Sequence, residues 1–580
     1  MSGWTNIVKW SRIAAVSCFI TASFFAYPLA FLRLSGNKIP YYGLAEAVTL
    51  PGLGIVAAAL LLANTSWIGL YRKDRHLQFF GAAQILLLLL TIYHRIAGTA
   101  SFHDVALSIF FITAPTLGME FSRELRRILP VAGSVFALLL LFSGIMSEQF
   151  TGLCGNWNWT QGMLFALLPG IFILFDTARY RQWAVGSAVI AALIFMLTDP
   201  EIFSRSVLLG VFLIPLLIKG NGQLPEKWKF PVIVLGFAGI VAMILTIAAA
   251  VDLPDSRVQL WKGSLDLLLN RAWLGCGMGK FSEVILPYLP EKYYFTAFAA
   301  PMHPHPHNEI LNFFCSYGIA GVVFLGALIF TALKKGPETE IQWYGQWIFL
   351  FLLLCGCFDV HCAILPGAAW FWLIPGMLTA DGEAEKIDRR RWKLLRVAAA
   401  LLMIMAVLWK SAEHFRAGYF LRRGEIALSS GDFPAGRKFL EKSLSIKILP
   451  HAAYRMAELY LHIFNEPQKC TDVLDALYTE RKIINYLHSR RLRAVAYSRT
   501  GKNVRSKEHL LAEVENYPYS IINARLLFIQ KQHEKAPEPE LRAAWSKLLK
   551  LCALRKITVA ESASISAEKD DRGYDVPGAW

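Results

Sequence analysis

The stretch PMHPHPHNEILNFFCSYGIAGVVFL, residues 301–325, decides how this chain is organised. It begins as a polar, proline-rich run with three alternating histidines, His303, His305 and His307. It then continues without a linker into an apolar run long enough for a membrane helix. An imidazole is costly where a loop enters a membrane helix unless it has a partner or a function there. The stretch is therefore either a histidine-rich interfacial loop or the beginning of a functional site.

The composition is that of a membrane protein with a second, more polar part. Of the 580 residues, 55% are hydrophobic, and the mean hydropathy is +0.41, which excludes an ordinary soluble protein. Long apolar segments dominate up to about residue 412, and charged residues with helical Ala/Leu patterns dominate after it. Much of the net charge of +16 comes from Lys and Arg between apolar segments. No nucleic-acid-binding module is recognisable, so we expect no nucleic acid as a partner.

These patterns predict an all-α protein. It would consist of a polytopic transmembrane helical bundle of about 12–13 spans, followed by a soluble α-helical repeat domain. Some apolar segments are shorter than a typical span, which a tilted or broken helix would explain. The predicted spans lie near residues 11–32, 43–64, 79–97, 104–118, 129–146, 162–176, 183–198, 204–219, 231–251, 308–333, 342–360, 362–379 and 394–412.

Cations in the loops predict the topology, because cytoplasmic loops are rich in Lys and Arg. With the N-terminus in the cytoplasm, cytoplasmic loops carry clusters such as Arg72, Lys73 and Arg75, whereas residues 147–161 on the other side carry no cation. The long loop 252–306 and everything after about residue 412 would then lie outside the cytoplasm. We expect a multi-pass protein of the bacterial inner (plasma) membrane, with its C-terminal domain outside the cytoplasm. If the cell is Gram-negative, that compartment is the periplasm.

The C-terminal part has a recurring pattern. Gly431-Asp432-Phe433, Asn465-Glu466 and Gly501-Lys502 mark turns about 35 residues apart, each between amphipathic helices. The pattern resembles tetratricopeptide repeats, although a generic array of helical hairpins would share it. Such arrays offer a concave surface to a protein partner.

We therefore predict five regions: N-terminal transmembrane helices (1–251), a large extracytoplasmic loop (252–306), C-terminal transmembrane helices (307–412), an extracytoplasmic repeat domain resembling tetratricopeptide repeats (413–560) and a disordered tail (561–580).

Four short motifs follow one another on the predicted outer side. They are Ser204-Arg205, Arg257-x-x-x-Trp261, the turn Gly275-x-Gly277-x-Gly279 and His307-Asn308-x-x-Leu311. Their order and common placement resemble the O-antigen ligase and O-antigen polymerase family. Members of that family are membrane glycosyltransferases that use glycans carried on a polyprenyl diphosphate.

The resemblance implies an integral-membrane transferase that moves an oligosaccharide or polysaccharide from undecaprenyl diphosphate to an extracytoplasmic acceptor. His307, Arg205 and Arg257 would be catalytic. Guanidinium groups match phosphate oxygens and would stabilise the leaving diphosphate, while a neutral imidazole would accept a proton from the acceptor hydroxyl. Attack opposite the leaving lipid would invert the anomeric centre. Further substrate-binding residues would be Asn308, Arg271, Trp261 and His305.

The resemblance implies no cofactor and no metal. In an extended segment the three histidines would project to one side and could hold a transition metal, although no acidic residue is adjacent to them. Many sugar-nucleotide transferases hold a metal-bound nucleotide with an Asp-x-Asp pair, and the chain has no such pair. Which of His303, His305 and His307 is functional stays open. Asp359 and His361 lie at an outer helix end and receive no role here.

The acceptor is not determined by these motifs. It could be a lipid A core (ligase), a second lipid-linked glycan (O-antigen or exopolysaccharide polymerase) or a protein hydroxyl (protein O-oligosaccharyltransferase). Two other classes remain: a polysaccharide transporter, which would show internal repeat symmetry and polar residues at mid-membrane, and a membrane-anchored repeat scaffold. Membrane lipids and a protein bound to the repeat domain complete the expected partners.

Overall fold

The computed structural model describes residues 71, 74–97, 102–146, 157–174, 180–198, 205–223, 256–271, 273–295, 303, 305–359, 367–379, 393–481 and 485–554. Within these residues every regular element is a helix, so the all-α prediction is confirmed there. The predicted disordered tail lies outside them. The chain forms two compact units. One comprises the described parts of 1–242, 273–278 and 307–411, and the other those of 243–272, 279–306 and 412–580.

The first unit is a bundle of mostly apolar helices. Its elements are α1 (Arg75–Ile96), α2 (Phe102–Glu120), α3 (Ser122–Ile145), α4 (Trp157–Leu167), α5 (Pro169–Leu174), α6 (Tyr180–Thr198), α7 (Arg205–Gln223), α10 (Glu309–Leu333), α11 (Glu340–Gly356), α12 (Gly367–Thr379) and the first part of α13 (Lys393–Ser429).

Three helices of the described residues, α1, α3 and α10, are long and apolar enough to cross a membrane. On α3, Val131, Val135, Leu138 and Phe142 form an exposed apolar stripe at helical spacing. Water would disfavour such a stripe, whereas lipid chains would not. The larger number of spans stays a prediction, since the segments 11–32, 43–64 and 231–251 lie outside the described residues.

Aromatic rings and glycines form the core of this bundle. Trp372 of α12 packs at 4.7 Å, between ring centroids, from Phe111 and at 5.4 Å from Phe313. Gly118 and Gly376 bring α2 and α12 together backbone to backbone, because a Cβ on Gly376 would lie 1.8 Å from the Pro115 carbonyl oxygen. α12 also packs on α10, the helix that begins at the histidine stretch. The contact with α2 and the contact with α10 together fix the position of α12.

The second unit combines an irregular segment with a helical domain. The segment contains α8 (Ser256–Arg271), α9 (Phe281–Val284) and two 3-10 turns (Leu286–Tyr288 and Glu291–Phe295). After the second part of α13, the domain contains α14 (Phe433–Ile446), α15 (Pro450–Glu458), a π-turn (Leu459–Ile463), α16 (Pro467–Arg481), α17 (Ser489–Arg499), α18 (Asn503–Asn516), α19 (Ile521–His533) and α20 (Glu538–Leu554).

From α14 to α20, each helix of this domain packs on the next. Two apolar clusters stabilise them. The larger cluster is built from α13 to α17 around Leu440, Met456 and Leu474, and the smaller joins α19 and α20 through Ile521 and Leu548. Helical hairpins are thus present after about residue 412, as the sequence pattern predicts, and their resemblance to tetratricopeptide repeats stays a prediction.

Candidate functional site

The candidate site begins with the cap of α10. Asn308 is fully buried, and its side-chain oxygen accepts a hydrogen bond of 2.9 Å from the Leu311 amide. Its Nδ2 donates a 2.6 Å hydrogen bond to the carbonyl oxygen of Cys357, beyond the end of α11. Asparagine is among the best N-cap residues because its oxygen satisfies an amide that the helix leaves unpaired. Asn308 therefore joins the start of one helix to the end of another.

His307 lies directly before this cap, in an unusual backbone conformation. Its φ of 51° is in the left-handed region, which costs a residue with a Cβ about 1–3 kcal/mol. The conformation brings its Nδ1 to 3.1 Å from Oδ1 of Asp359. The imidazole is 26% exposed and the carboxylate only 5%. His307 and Asp359 therefore form a polar pair in which the ring is partly accessible and the carboxylate is buried.

Asp359 occupies a position that is electrostatically unfavourable without a partner. It follows the C-terminal end of α11, where its amide donates to the Cys355 carbonyl at 3.0 Å. Carboxylates at helix C-termini oppose the helix dipole. His307 supplies a donor there. A neutral imidazole that donates its Nδ1–H to a carboxylate presents the lone pair of Nε2 to its surroundings.

The glycine turn is built into the bundle at a kink of α10. Gly318 has non-helical angles (φ 59°, ψ −147°), and the Cys315 and Ser316 carbonyl oxygens accept hydrogen bonds from the amides of Cys276 (2.8 Å) and Gly277 (3.1 Å). A Cβ on Gly275 would lie 2.5 Å from the Ser316 oxygen. The close backbone approach expected of this turn is present, and it stabilises the kink.

Two predicted residues of α8 have different surroundings. Trp261 is buried, and its indole N–H donates a 2.9 Å hydrogen bond to the carbonyl oxygen of Pro306, the residue before His307. Arg257 is half-buried in the first turn of α8, whereas Arg271 is exposed in its last turn. Trp261 thus contributes a structural hydrogen bond, and a ring buried in this way has little surface for a sugar.

The other predicted residues are placed more simply. Arg205 is the first residue of α7, so it begins a mostly apolar helix as expected. His305 and His303 are half-buried, and the His303 ring lies edge-on to Tyr293, with centroids 5.6 Å apart. The structure brings His307 and Asn308 together with Asp359. Arg205 belongs to the first unit and Arg257 to the second.

Two acidic residues of this region are functional candidates that the motifs did not select. Asp359 contacts His307 although 52 positions separate them, and Glu309 is 1% exposed in the first turn of α10. A carboxylate just after an apolar helix was visible in the sequence, but its partner was not.

No protein-family model, curated protein or solved structure is significantly similar to the chain. Among the described residues, no group of three or more His, Cys, Asp and Glu side chains is arranged to hold a metal ion.

Proposed function

We propose that the chain is an integral-membrane glycosyltransferase that moves an oligosaccharide or polysaccharide from undecaprenyl diphosphate to an acceptor outside the cytoplasm, as an O-antigen ligase does. The observation that carries the proposal is the His307–Asp359 pair at the entrance of α10. The three apolar helices support a membrane location. A multi-pass arrangement in the bacterial inner membrane, with a periplasmic C-terminal domain, is part of the proposal.

His307 would act as the general base. Asp359 would hold the ring with Nδ1 protonated and would stabilise the imidazolium that forms when Nε2 takes the hydroxyl proton of the acceptor. The partial exposure of His307 and the burial of Asp359 suit these two roles. Asn308 would position the ring by fixing the helix start, and His305 would contribute to acceptor binding.

Arg205 and Arg257 would hold the diphosphate. A carboxylate such as that of Asp359 repels an anion, so the donor diphosphate requires cations from elsewhere in the chain. Permanently charged guanidinium groups fit phosphate oxygens bidentately and would stabilise the charge that develops as the lipid diphosphate leaves. Arg271 would add a weaker contact. The reaction would need no metal and would invert the anomeric carbon.

The test measures glycan transfer by the purified full-length protein, with an undecaprenyl-diphosphate glycan as donor. His307→Ala should lower turnover by about 10²- to 10⁴-fold while donor binding persists, because the base is lost and the cations remain. Asp359→Asn should lower turnover at least about tenfold, because the neutral amide no longer selects the ring tautomer.

His303→Ala is the matched control, and its turnover should stay near that of the wild type. Loss of turnover in His303→Ala with full activity in His307→Ala would show that His303, and not His307, is the base. Full turnover in all three histidine variants, including His305→Ala, would refute a role for this segment in catalysis.

Deleting the gene distinguishes the acceptors. Free polymer with uncapped lipopolysaccharide means a ligase, single-repeat capping means a polymerase, and normal glycolipid with altered glycoproteins means transfer to protein. We expect the ligase pattern. An unchanged cell surface in all three assays would contradict the proposal.

A further inference from the structure

The segment 279–295, which we call the loop segment, is folded onto the C-terminal helical domain. The Tyr294 ring is 4% exposed and packs on Tyr519, with ring centroids 4.8 Å apart and planes inclined by 39°. Tyr519 lies in the turn between α18 and α19. The Tyr294 hydroxyl meanwhile donates to the Leu286 carbonyl at 3.1 Å, so the ring is fixed from the loop side as well. One aromatic contact therefore joins the loop segment to the turn between α18 and α19.

Two further contacts surround this pair. The first 3-10 turn of the loop segment packs against α18. Lys550 of α20 lies 3.7 Å from the Glu291 carboxylate, a mostly exposed ion pair that contributes little by itself. Burial raises the pKa of Tyr519, and the charge of Glu291 adds to this. The loop segment thus meets α18, the following turn and α20.

The loop segment also packs against α8. Both 3-10 turns pack against this helix, and the approach is close enough to require a glycine. A Cβ on Gly263 would lie 2.9 Å from the Tyr288 carbonyl oxygen and 3.0 Å from a Leu289 methyl carbon. Tyr293 is fully buried beside them. The loop segment thus contacts both α8, which bears Arg257, and the last helices of the chain.

We infer that the last helices of the C-terminal domain, α18 to α20, are the support that positions α8 and Arg257, with Tyr519 as the principal positioning residue. The contacts alone carry the structural part of this inference, and its consequence for turnover rests on the proposed function. The domain is then a part of the transfer machinery, in addition to any surface that it offers to a partner. A guanidinium that binds a diphosphate bidentately tolerates little displacement, so loosening the loop segment lowers turnover.

The test uses Tyr519→Ala in the full-length protein in lipid nanodiscs, with amide hydrogen exchange as the first readout. Exchange in residues 279–295 should rise about two- to tenfold, the range expected for losing one aromatic pair from a locally stable segment. Tyr519→Phe keeps the ring and should stay much nearer the wild type. Trp545→Ala, which removes an exposed aromatic residue that pairs with Phe528 between α19 and α20, should leave the loop segment unchanged.

Tyr294→Ala tests the contact from the other side and should raise exchange around Tyr519 by a similar factor. The double variant should add little to either single change, because the two rings act as one contact. Exchange in α14 to α16, which belong to the other apolar cluster, should stay unchanged, so a general loss of folding would be visible.

Turnover is the second readout, and Tyr519→Ala should lower it about ten- to a hundredfold. Unchanged exchange in the loop segment would overturn the inference whatever the activity. Raised exchange with wild-type turnover would overturn the positioning role. If the wild-type protein transfers no glycan, the proposed function fails, and the exchange data alone then support or overturn the structural inference.

Discussion

At the scale of single residues, His307 and its partner Asp359 each occupy an unfavourable position. The His307 backbone is left-handed, and Asp359 lies at the negative end of a helix dipole. Contact between the two side chains offsets part of both costs. Strained residues cluster at functional sites because the surroundings that hold them also fix their geometry. The pair is therefore a more specific sign of chemistry than the histidine-rich sequence around it.

A second residue of interest, His509, lies in the C-terminal domain. Its ring stacks on Tyr497 at 5.5 Å, with planes 11° apart. Burial, together with the nearby Arg493 and Arg490 guanidinium groups, lowers the pKa of His509 from its ordinary 6.5 to about 4. Residues 481–507 contain nine Lys or Arg and no Asp or Glu, which explains the cationic surroundings. The folded state thus favours the neutral imidazole at this position.

The pH dependence follows from this pKa. Above pH 6.5 the ring is neutral in both states and has no effect, whereas between about pH 6.5 and 4 only the unfolded state binds the proton, so stability falls as the pH is lowered. We expect a loss of about 1–2 kcal/mol near pH 4, because the ring is partly exposed. Hydrogen exchange of α17 and α18 at about pH 7 and about pH 4, relative to intrinsic rates, measures the loss.

His509→Gln should reduce this pH dependence because the amide does not titrate. Some dependence will remain, since burial also lowers the pKa of His451 and His462. His533→Gln, at an exposed helix end, is the control and should behave as the wild type. Equal pH dependence in the two variants would show that His509 does not contribute.

At the scale of elements, glycines decide where helices meet. Gly376 and Gly118 allow α12 and α2 to touch through their backbones, and Gly275 allows the glycine turn to reach the kink of α10. Small residues at helix contacts are a general device of membrane proteins, where packing replaces the hydrophobic effect as the force between helices. The sequence shows glycines in apolar segments but not which of them face a neighbour.

Gly376→Ala tests the backbone contact. The added Cβ would lie 1.8 Å from a carbonyl oxygen that cannot move aside without shifting α2, so we expect destabilisation of about 1–3 kcal/mol. Thermal unfolding of the detergent-solubilised protein, followed by size exclusion, measures the change. Gly326→Ala in α10 is the control, because no atom lies within 4 Å of its added Cβ. Similar losses in both variants would argue against a special contact at Gly376.

At the scale of the whole molecule, the composition of the sequence distinguishes apolar helices from a more polar helical part, and the structure contains both. The two units do not follow the order of the chain, however. Residues 273–278 belong with the bundle, while their neighbours on both sides belong with the C-terminal domain. The chain therefore passes between units within one loop, which no composition change marks.

The predicted topology can be tested with reporter fusions. Alkaline phosphatase fused after Leu554 should be active, because an odd number of spans would place this end in the periplasm, and fused after Lys335 it should be inactive. A cytoplasmic fluorescent reporter should give the reverse pattern. The same activity at both points would contradict the topology and, with it, an outward-facing transfer site.

By itself the sequence determined the helical class, the apolar bundle and the helical hairpins after about residue 412. These depend on composition and on short-range periodicity, which are properties of neighbouring residues. Only the tertiary structure decided that Asp359 is the partner of His307, that Gly376 faces Pro115 and that Tyr294 packs on Tyr519. Such contacts join residues remote in the chain, and they arise from how helices pack rather than from any local pattern.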